Sequence, residues 1–215
     1  TKGWSVDESV LNGVKGADAI LVRIGVVNKD VMDQCPNLKI IAVHGVGVDR
    51  VDVEEATKRG ILVTNTPGGN AQSVAELAIG LMIAILRKIH LVLNKMKEGK
   101  WFEARMSGTG NEIYGKKVGL VGIGNIGSRV ARYLRAFEAE VIAYDPYVTE
   151  EKARELGVKL VDLETLLRES DIVSIHAPLT KETYHMINEG RLRIMKPTAV
   201  IINTSRGGLI DTEAL

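Results

Sequence analysis

The stretch KKVGLVGIGNIGSRVARYL, residues 116–134, constrains this chain more than any other. A β-branched run meets a glycine-rich corner, and apolar residues then recur at helical spacing. Glycines stand at 122, 124 and 127, and a second strand-like run, EVIAY, ends in Asp145. Strand, glycine turn, helix and an acidic residue about twenty positions on form the dinucleotide-binding fingerprint. Each glycine has a separate physical task. Gly122 permits the tight turn, Gly124 lets a pyrophosphate approach the backbone, and Gly127 allows the helix to pack closely. The amides of Asn125 and Ile126 then face the phosphates at the positive end of the helix dipole. Asp145 is expected to accept hydrogen bonds from the adenosine ribose hydroxyls and to repel the extra phosphate of NADP. Pro146 and Tyr147 follow where an NADP-binding chain wants a cation, so the expected cofactor is NAD.

The same alternation runs along the whole chain. Strand-like runs fall at 19–23, 39–43, 61–64, 117–121, 140–144, 171–175 and 198–202. Helix-like segments lie at 125–136, 150–156, 162–169 and 189–194. Such a pattern predicts parallel sheets covered by helices. The loop RMSGTGNEIYGKK reads as a boundary, giving a first unit at 1–98 and a second at 99–215, with the core of the latter opening near 113.

Residues 73–97 contain no proline and end at Gly99, which predicts one long helix apolar on nearly every face. Most of its surface is expected to be buried, since such a helix needs cover on every side, from its own domain or from a second subunit. Its run LAIGLMIAIL is too short to cross a bilayer and is followed by Arg87, Lys88 and His90, so no membrane span is expected.

Twenty-eight basic and 27 acidic residues leave a net charge of +1, which excludes a global field for nucleic acid or an anionic membrane. The one cysteine, Cys35, excludes an internal disulfide framework and fits a reducing, cytoplasmic compartment, where it reads as a half-buried small apolar residue. No His, Cys and carboxylate cluster has metal-ligand spacing, so no metal is expected. The opening TKGWSVDESV reads as a cut through a domain.

GLVGIGNIG, VIAYDPY, IHAPLTKETYHMIN and MKPTAVIINTSRGGLID stand in the order and spacing of the D-isomer-specific 2-hydroxyacid dehydrogenases, and the chain resembles that family over nearly its whole length. The segment LKIIAVHGVGVDRVDVEEATKRGILVTNTPGGNAQSVAELAIGLM brings it nearest to the D-3-phosphoglycerate dehydrogenase branch, which serves serine biosynthesis. The resemblance implies a Rossmann-type doubly wound sheet for NAD beside a flavodoxin-like α/β substrate domain, both incomplete in this chain. It implies hydride transfer between NAD and C2 of a 2-hydroxy or 2-keto acid in a cleft, and a homodimer through the 73–97 helix.

By that resemblance, Arg206 is the catalytic arginine, whose fork of donors suits a carboxylate and the C2 oxygen. The plainer reading of its loop position is a helix cap or an ion pair with Asp211. Thr204 and Ser205 match cofactor-contacting positions. His176, Ala177 and Pro178 match the loop along the nicotinamide half of NAD, although His176 taken alone reads as a packing histidine. Thr183 either touches that region or caps the segment after it. In HGVGVD, the backbone of Gly45, Val46 and Gly47 matches the amides that hold the substrate carboxylate. His44 either lines the cleft or packs beneath the loop. Asn70 either sits at the hinge side of the cleft or only forms a turn.

Departures from the family pattern bear on substrate. Phosphoglycerate dehydrogenases often carry arginine where this chain has Val43 and a small polar residue where it has Val46, which weakens the case for a phosphorylated acid. Arg23, after the first strand, remains as a phosphate contact. The family's catalytic histidine and its orienting glutamate lie downstream of the segment ending at Leu215, and its first substrate-domain strand lies before Thr1. The resemblance therefore implies that residues 1–215 alone do not turn over. A second function class, an NAD-sensing corepressor on the same fold, stays open.

Overall fold

Apolar runs that alternate with helices can bury both faces only by pairing in parallel, and all the sheet pairings here are parallel. The computed structural model describes residues 8–215 and divides them at Asn70/Ala71 into two units. The opening segment read as a cut through a domain lies, for residues 1–7, outside the described residues.

In the first unit, α1 (Glu8–Val14) leads to β1 (Ala19–Val22), α2 (Lys29–Asp33), β2 (Ile40–Val43), α3 (Val53–Lys58) and β3 (Leu62–Thr64). The sheet order is β1-β2-β3. The two short helices begin at capping side chains: Asn28 accepts the Val31 amide at 3.1 Å and Asp52 the Glu55 amide at 2.9 Å. Their apolar sides close over Val22, Ile41 and Val43 with Val31, Met32 and Ala56. Cys35 is fully buried in this cluster rather than half-buried, and its thiol donates to the Val14 carbonyl.

The second unit opens with three helices, α4 (Ala71–Leu86), α5 (Ile89–Lys97) and α6 (Trp101–Ser107). Next come β4 (Lys117–Val121), α7 (Gly127–Ala136), β5 (Glu140–Tyr144), α8 (Glu150–Glu155), β6 (Lys159–Leu160) and α9 (Leu163–Glu169). It ends with β7 (Ile172–Ile175), α10 (Glu189–Arg193), β8 (Val200–Asn203) and a 3₁₀ turn at Gly207–Leu209. Its sheet order is β6-β5-β4-β7-β8. Counted within the unit this is 3-2-1-4-5, the doubly wound order, and it reverses between β4 and β7. On one face Leu120 and Ile202 share a core with Val130 and Leu134 of α7 and with Ala78 and Met82 of α4, and the other face packs Ile142, Leu166, Val173 and Leu209. At the other end of the central strands β4 and β7, Asp171 accepts the Lys117 amide at 2.9 Å and Lys196 Nζ at 2.8 Å. Burial pushes its carboxyl up, but the lysine and the amide outweigh burial and hold it below the ordinary carboxylate value.

Three expectations are corrected. The division falls at 70/71, not at 98/99, because Ala75, Ala78, Ile79 and Met82 of α4 belong to the same core as Leu120 and Val130. The expected helix over 73–97 is two helices. Continuing past Leu86 would require its carbonyl to accept the amide of residue 90. Instead that carbonyl accepts the Asn111 amide at 3.0 Å, and Lys88 turns into the left-handed region at φ 52°. Nor is that segment mostly buried. Leu77, Leu81 and Ile85 on α4 are 54%, 37% and 43% exposed, and α5 buries no residue.

Candidate cofactor and substrate-binding sites

The glycine corner of the second unit sits at the end of β4, beside the strand-order reversal. Gly122 has φ +90° and donates to the Tyr144 carbonyl at 2.8 Å, so it needs the left-handed freedom that glycine supplies. A side chain there would also press on the backbone of His176 and Ala177. At Gly127 a Cβ would collide with the Gly122 carbonyl oxygen, so the helix start can approach the turn only without one. Around the Cβ position of Gly124, by contrast, there is open space. Helix α7 then starts at Gly127, after an Ile126 that provides no side-chain cap, and the amides of Asn125 and Ile126 donate to no group among the described residues. An open glycine before an uncapped helix start fits a pyrophosphate.

Asp145 follows β5. One carboxylate oxygen accepts the Ile123 amide and the other the Tyr147 amide, both at 2.9 Å. The acid is therefore fixed against the glycine corner, with lone pairs left over for further donors.

The end of β7 supplies the neighbouring wall. His176 donates its amide to the Val121 carbonyl at 2.8 Å, and its Nε2 lies 3.0 Å from the hydroxyl of the buried Ser174. The Nδ1 atom is buried with no partner, so this is not a satisfied packing histidine. Burial lowers its pKa from 6.5 to about 4, so the ring is neutral at physiological pH. Pro178 is exposed, and its carbonyl accepts the Thr183 hydroxyl at 2.7 Å. That hydroxyl also accepts the Thr180 amide at 2.7 Å, so Thr183 closes its own turn.

After β8, the Thr204 hydroxyl oxygen is buried and without a partner. Ser205 reaches back to the Ile175 carbonyl at 3.1 Å, joining the ends of β8 and β7. Asn203 accepts the Ser205 amide at 3.0 Å and donates to the Arg206 carbonyl at 2.9 Å, which fixes the loop that carries the arginine. Arg206 is exposed, has extended backbone, and donates to the Ser205 carbonyl at 3.0 Å. Asp211 lies 3.9 Å from His185.

The first unit presents its own loop at the end of β2. Gly45, Val46 and Gly47 follow His44, whose amide donates to the Val22 carbonyl at 2.8 Å and whose side chain is exposed rather than packed beneath the loop. Asn65 and Thr66, after β3, hydrogen-bond the carbonyls of this loop. Neither is singled out by the sequence reading, although two short polar residues directly after a strand were the available signal. Asn70 is exposed and is the last residue of the first unit. No group of three or more His, Cys, Asp or Glu among the described residues could hold a metal ion.

A 3-2-1-4-5 parallel sheet, with a glycine corner after its first strand and a fixed carboxylate after its second, defines a dinucleotide-binding α/β domain. The chain belongs to the D-isomer-specific 2-hydroxyacid dehydrogenase family: residues 79–215 match the NAD-binding domain of that family. NAD is the cofactor of this domain. The chain is 45% identical over 209 residues to a D-3-phosphoglycerate dehydrogenase of Archaeoglobus fulgidus, covering 97% of this chain and 39% of the relative. It is 46% identical to a hydroxypyruvate reductase of Thermotoga maritima, covering 97% of this chain and 67% of the relative. A crystal structure of D-lactate dehydrogenase from Aquifex aeolicus, complexed with NAD and lactic acid, superposes with a TM-score of 0.87 at 36% identity. That match covers 95% of this chain and 61% of the other. The chain thus spans about two fifths to two thirds of the length of these relatives.

Proposed function

We propose that the protein carrying this chain is an NAD-dependent dehydrogenase of a small D-2-hydroxy acid and its 2-keto acid. The observation that carries the reading is Arg206, exposed after β8 in the same unit as the glycine corner and held in place by Asn203. NAD, when bound, supplies a hydride acceptor or donor. Gly122, Gly124 and Gly127, with the amides of Asn125 and Ile126, hold its pyrophosphate. Asp145 holds the adenosine ribose, while His176, Ala177, Pro178, Thr204 and Ser205 line the remaining wall. Arg206 binds the substrate carboxylate and the C2 oxygen, which gains negative charge as a hydride arrives at the 2-keto carbon and, in the reverse direction, as the hydroxyl proton departs. In the first unit, taken by itself, the loop 45–47 presents backbone amides to an anionic oxygen.

Valines at 43 and 46 favour an unphosphorylated acid over 3-phosphoglycerate. Val43 is buried, and neither side chain can pair with a phosphate, although Arg23, after β1, could supply a phosphate contact. The exposed apolar residues on α4 and α5 support a homodimer through these helices. The buried free thiol of Cys35 supports a cytoplasmic location, and no helix among the described residues is long and apolar enough to cross a membrane. The corepressor reading rests on the fold alone, whereas the dehydrogenase reading also uses Arg206 and the 45–47 loop. A screen of 2-keto acids with the full-length gene product, following NADH absorbance, tests the proposal. Oxidation of NADH by one small 2-keto acid is expected, and failure with every acid would overturn it.

A further inference from the structure

In an extended chain successive carbonyls point to opposite sides, but two successive carbonyls of the loop after β2 are drawn to the same side. The Gly45 carbonyl accepts the Thr66 amide at 2.9 Å and the Thr66 hydroxyl at 3.0 Å. The next carbonyl, that of Val46, accepts Asn65 Nδ2 at 2.7 Å. Both peptides are trans, so in each the N–H points away from its own C=O. The N–H that shares a plane with the Gly45 carbonyl belongs to Val46, and the one that shares a plane with the Val46 carbonyl belongs to Gly47. Two consecutive amides consequently face away from Asn65 and Thr66, on one side of the loop. This pair of convergent donors is what an anionic oxygen needs. Neither amide donates to any group among the described residues, and both residues are exposed. The Gly45 amide is excluded from the set because it donates to the Val43 carbonyl at 2.9 Å.

We infer that Asn65 and Thr66 are positioning residues: by holding the Gly45 and Val46 carbonyls they aim the Val46 and Gly47 amides at an anionic oxygen of the substrate. This deepens the proposed function and rests on it. Among the described residues the side-chain hydrogen bonds of Asn65 and Thr66 go to the carbonyls at the back of the loop, so the effect of losing them passes through the backbone. Removing the Thr66 hydroxyl leaves its amide on the Gly45 carbonyl, so that peptide is loosened rather than released. Removing the Asn65 amide group frees the Val46 carbonyl, and the Gly47 amide loses its fixed direction.

The test uses the full-length gene product and oxalate as the probe, titrated by calorimetry into protein saturated with NADH. Asn65→Ala is expected to weaken oxalate about tenfold, the size expected for losing one oriented hydrogen bond to a charged group, and Thr66→Val by less. Thr66→Ser keeps the hydroxyl and should bind oxalate as the parent does. With the best 2-keto acid from the screen, KM should rise in Asn65→Ala while kcat stays within about twofold, because the loop acts in binding and not at the C2 oxygen. NADH affinity should not move. A purely structural role would lower the melting temperature and leave oxalate affinity and KM at parental values, and that outcome would overturn the inference alone. A parent that neither binds oxalate nor reduces any 2-keto acid would overturn the proposed function and this inference with it.

Discussion

The carboxylate of Asp145 accepts the amide of Ile123 at 2.9 Å, so the residue proposed to select the ribose also fixes the glycine corner proposed to receive the pyrophosphate. Its second oxygen takes the Tyr147 amide at the same distance, and no lysine or arginine stands between 146 and 151 to welcome a 2′-phosphate. Asp145→Ala should therefore weaken NADH about tenfold or more, by removing an acceptor and loosening the corner together. NADPH should lose less, because the repelling charge disappears as well. Calorimetry with both nucleotides measures the change, and an unaltered preference would contradict this account.

Gly124 and Gly127 separate binding from folding. A Cβ at 124 meets open space, so Gly124→Ala should keep the melting temperature of the parent and lose NADH affinity, because the methyl group occupies the phosphate's approach. At 127 the same change drives a Cβ into the Gly122 carbonyl oxygen. Overpacking of this kind commonly costs about 1–3 kcal/mol, and Gly127→Ala should lower the melting temperature by several degrees. Thermal unfolding of the two variants side by side distinguishes the roles.

Much of the architecture was legible because buried parallel strands announce themselves as β-branched runs. Those expected at 117–121 and 140–144 are β4 and β5. Helix limits at 150–156 and 162–169 came within a residue because Thr149 and Asp162 are capping side chains visible in the sequence. The break at Lys88 was not legible, since no glycine or proline marks it. It depends on Asn111 taking the Leu86 carbonyl from a distant part of the chain. The unit boundary was misplaced for a related reason: loop composition pointed to 105–117, whereas the packing of Ala75 and Met82 assigns α4 to the second core. Within the sites, glycines and charges stood out. Ser174, Asn65 and Thr66 did not, because their partners are backbone or ring atoms that no local pattern reveals.

His176 should shape the acid stability of the second unit. Its folded pKa, about 4, lies below the ordinary 6.5, so the unfolded chain binds the proton more readily. Stability is full above pH 6.5, falls as pH drops towards 4, and gains no further loss from this group below that. The slope is at most about 1.4 kcal/mol per pH unit. His176→Gln should flatten it, read as the denaturant midpoint of parent and variant at pH 4.5, 5.5, 6.5 and 7.5. Equal slopes would mean that the ring is not held neutral.

Leu77, Leu81 and Ile85 point away from the core of the second unit and stay exposed. A homodimer that covers them should dissociate when charge is introduced there, since two copies of each charge enter one symmetric interface. Leu77→Glu together with Leu81→Lys should convert a dimer mass in light scattering to a monomer mass at micromolar concentration. NADH binding should survive, because the glycine corner uses none of these side chains. A monomeric parent would refute the proposed assembly.

Arg206 offers the most direct test of the chemistry. Its loop is held by Asn203, so the guanidinium can be removed without releasing the backbone that Ser205 ties to β7. In the full-length gene product, Arg206→Ala should leave NADH affinity within about twofold and lower kcat/KM by about 10²-fold or more, since in the proposed role a donor aimed at the developing oxyanion is lost. Arg206→Lys keeps the charge but not the planar pair of donors, and should recover only a small part of that loss. If Lys restored full activity, charge alone would suffice and the two-point hold on carboxylate and C2 oxygen would be wrong. If Ala lost NADH binding as well, Arg206 would belong to the cofactor wall rather than to the reacting centre.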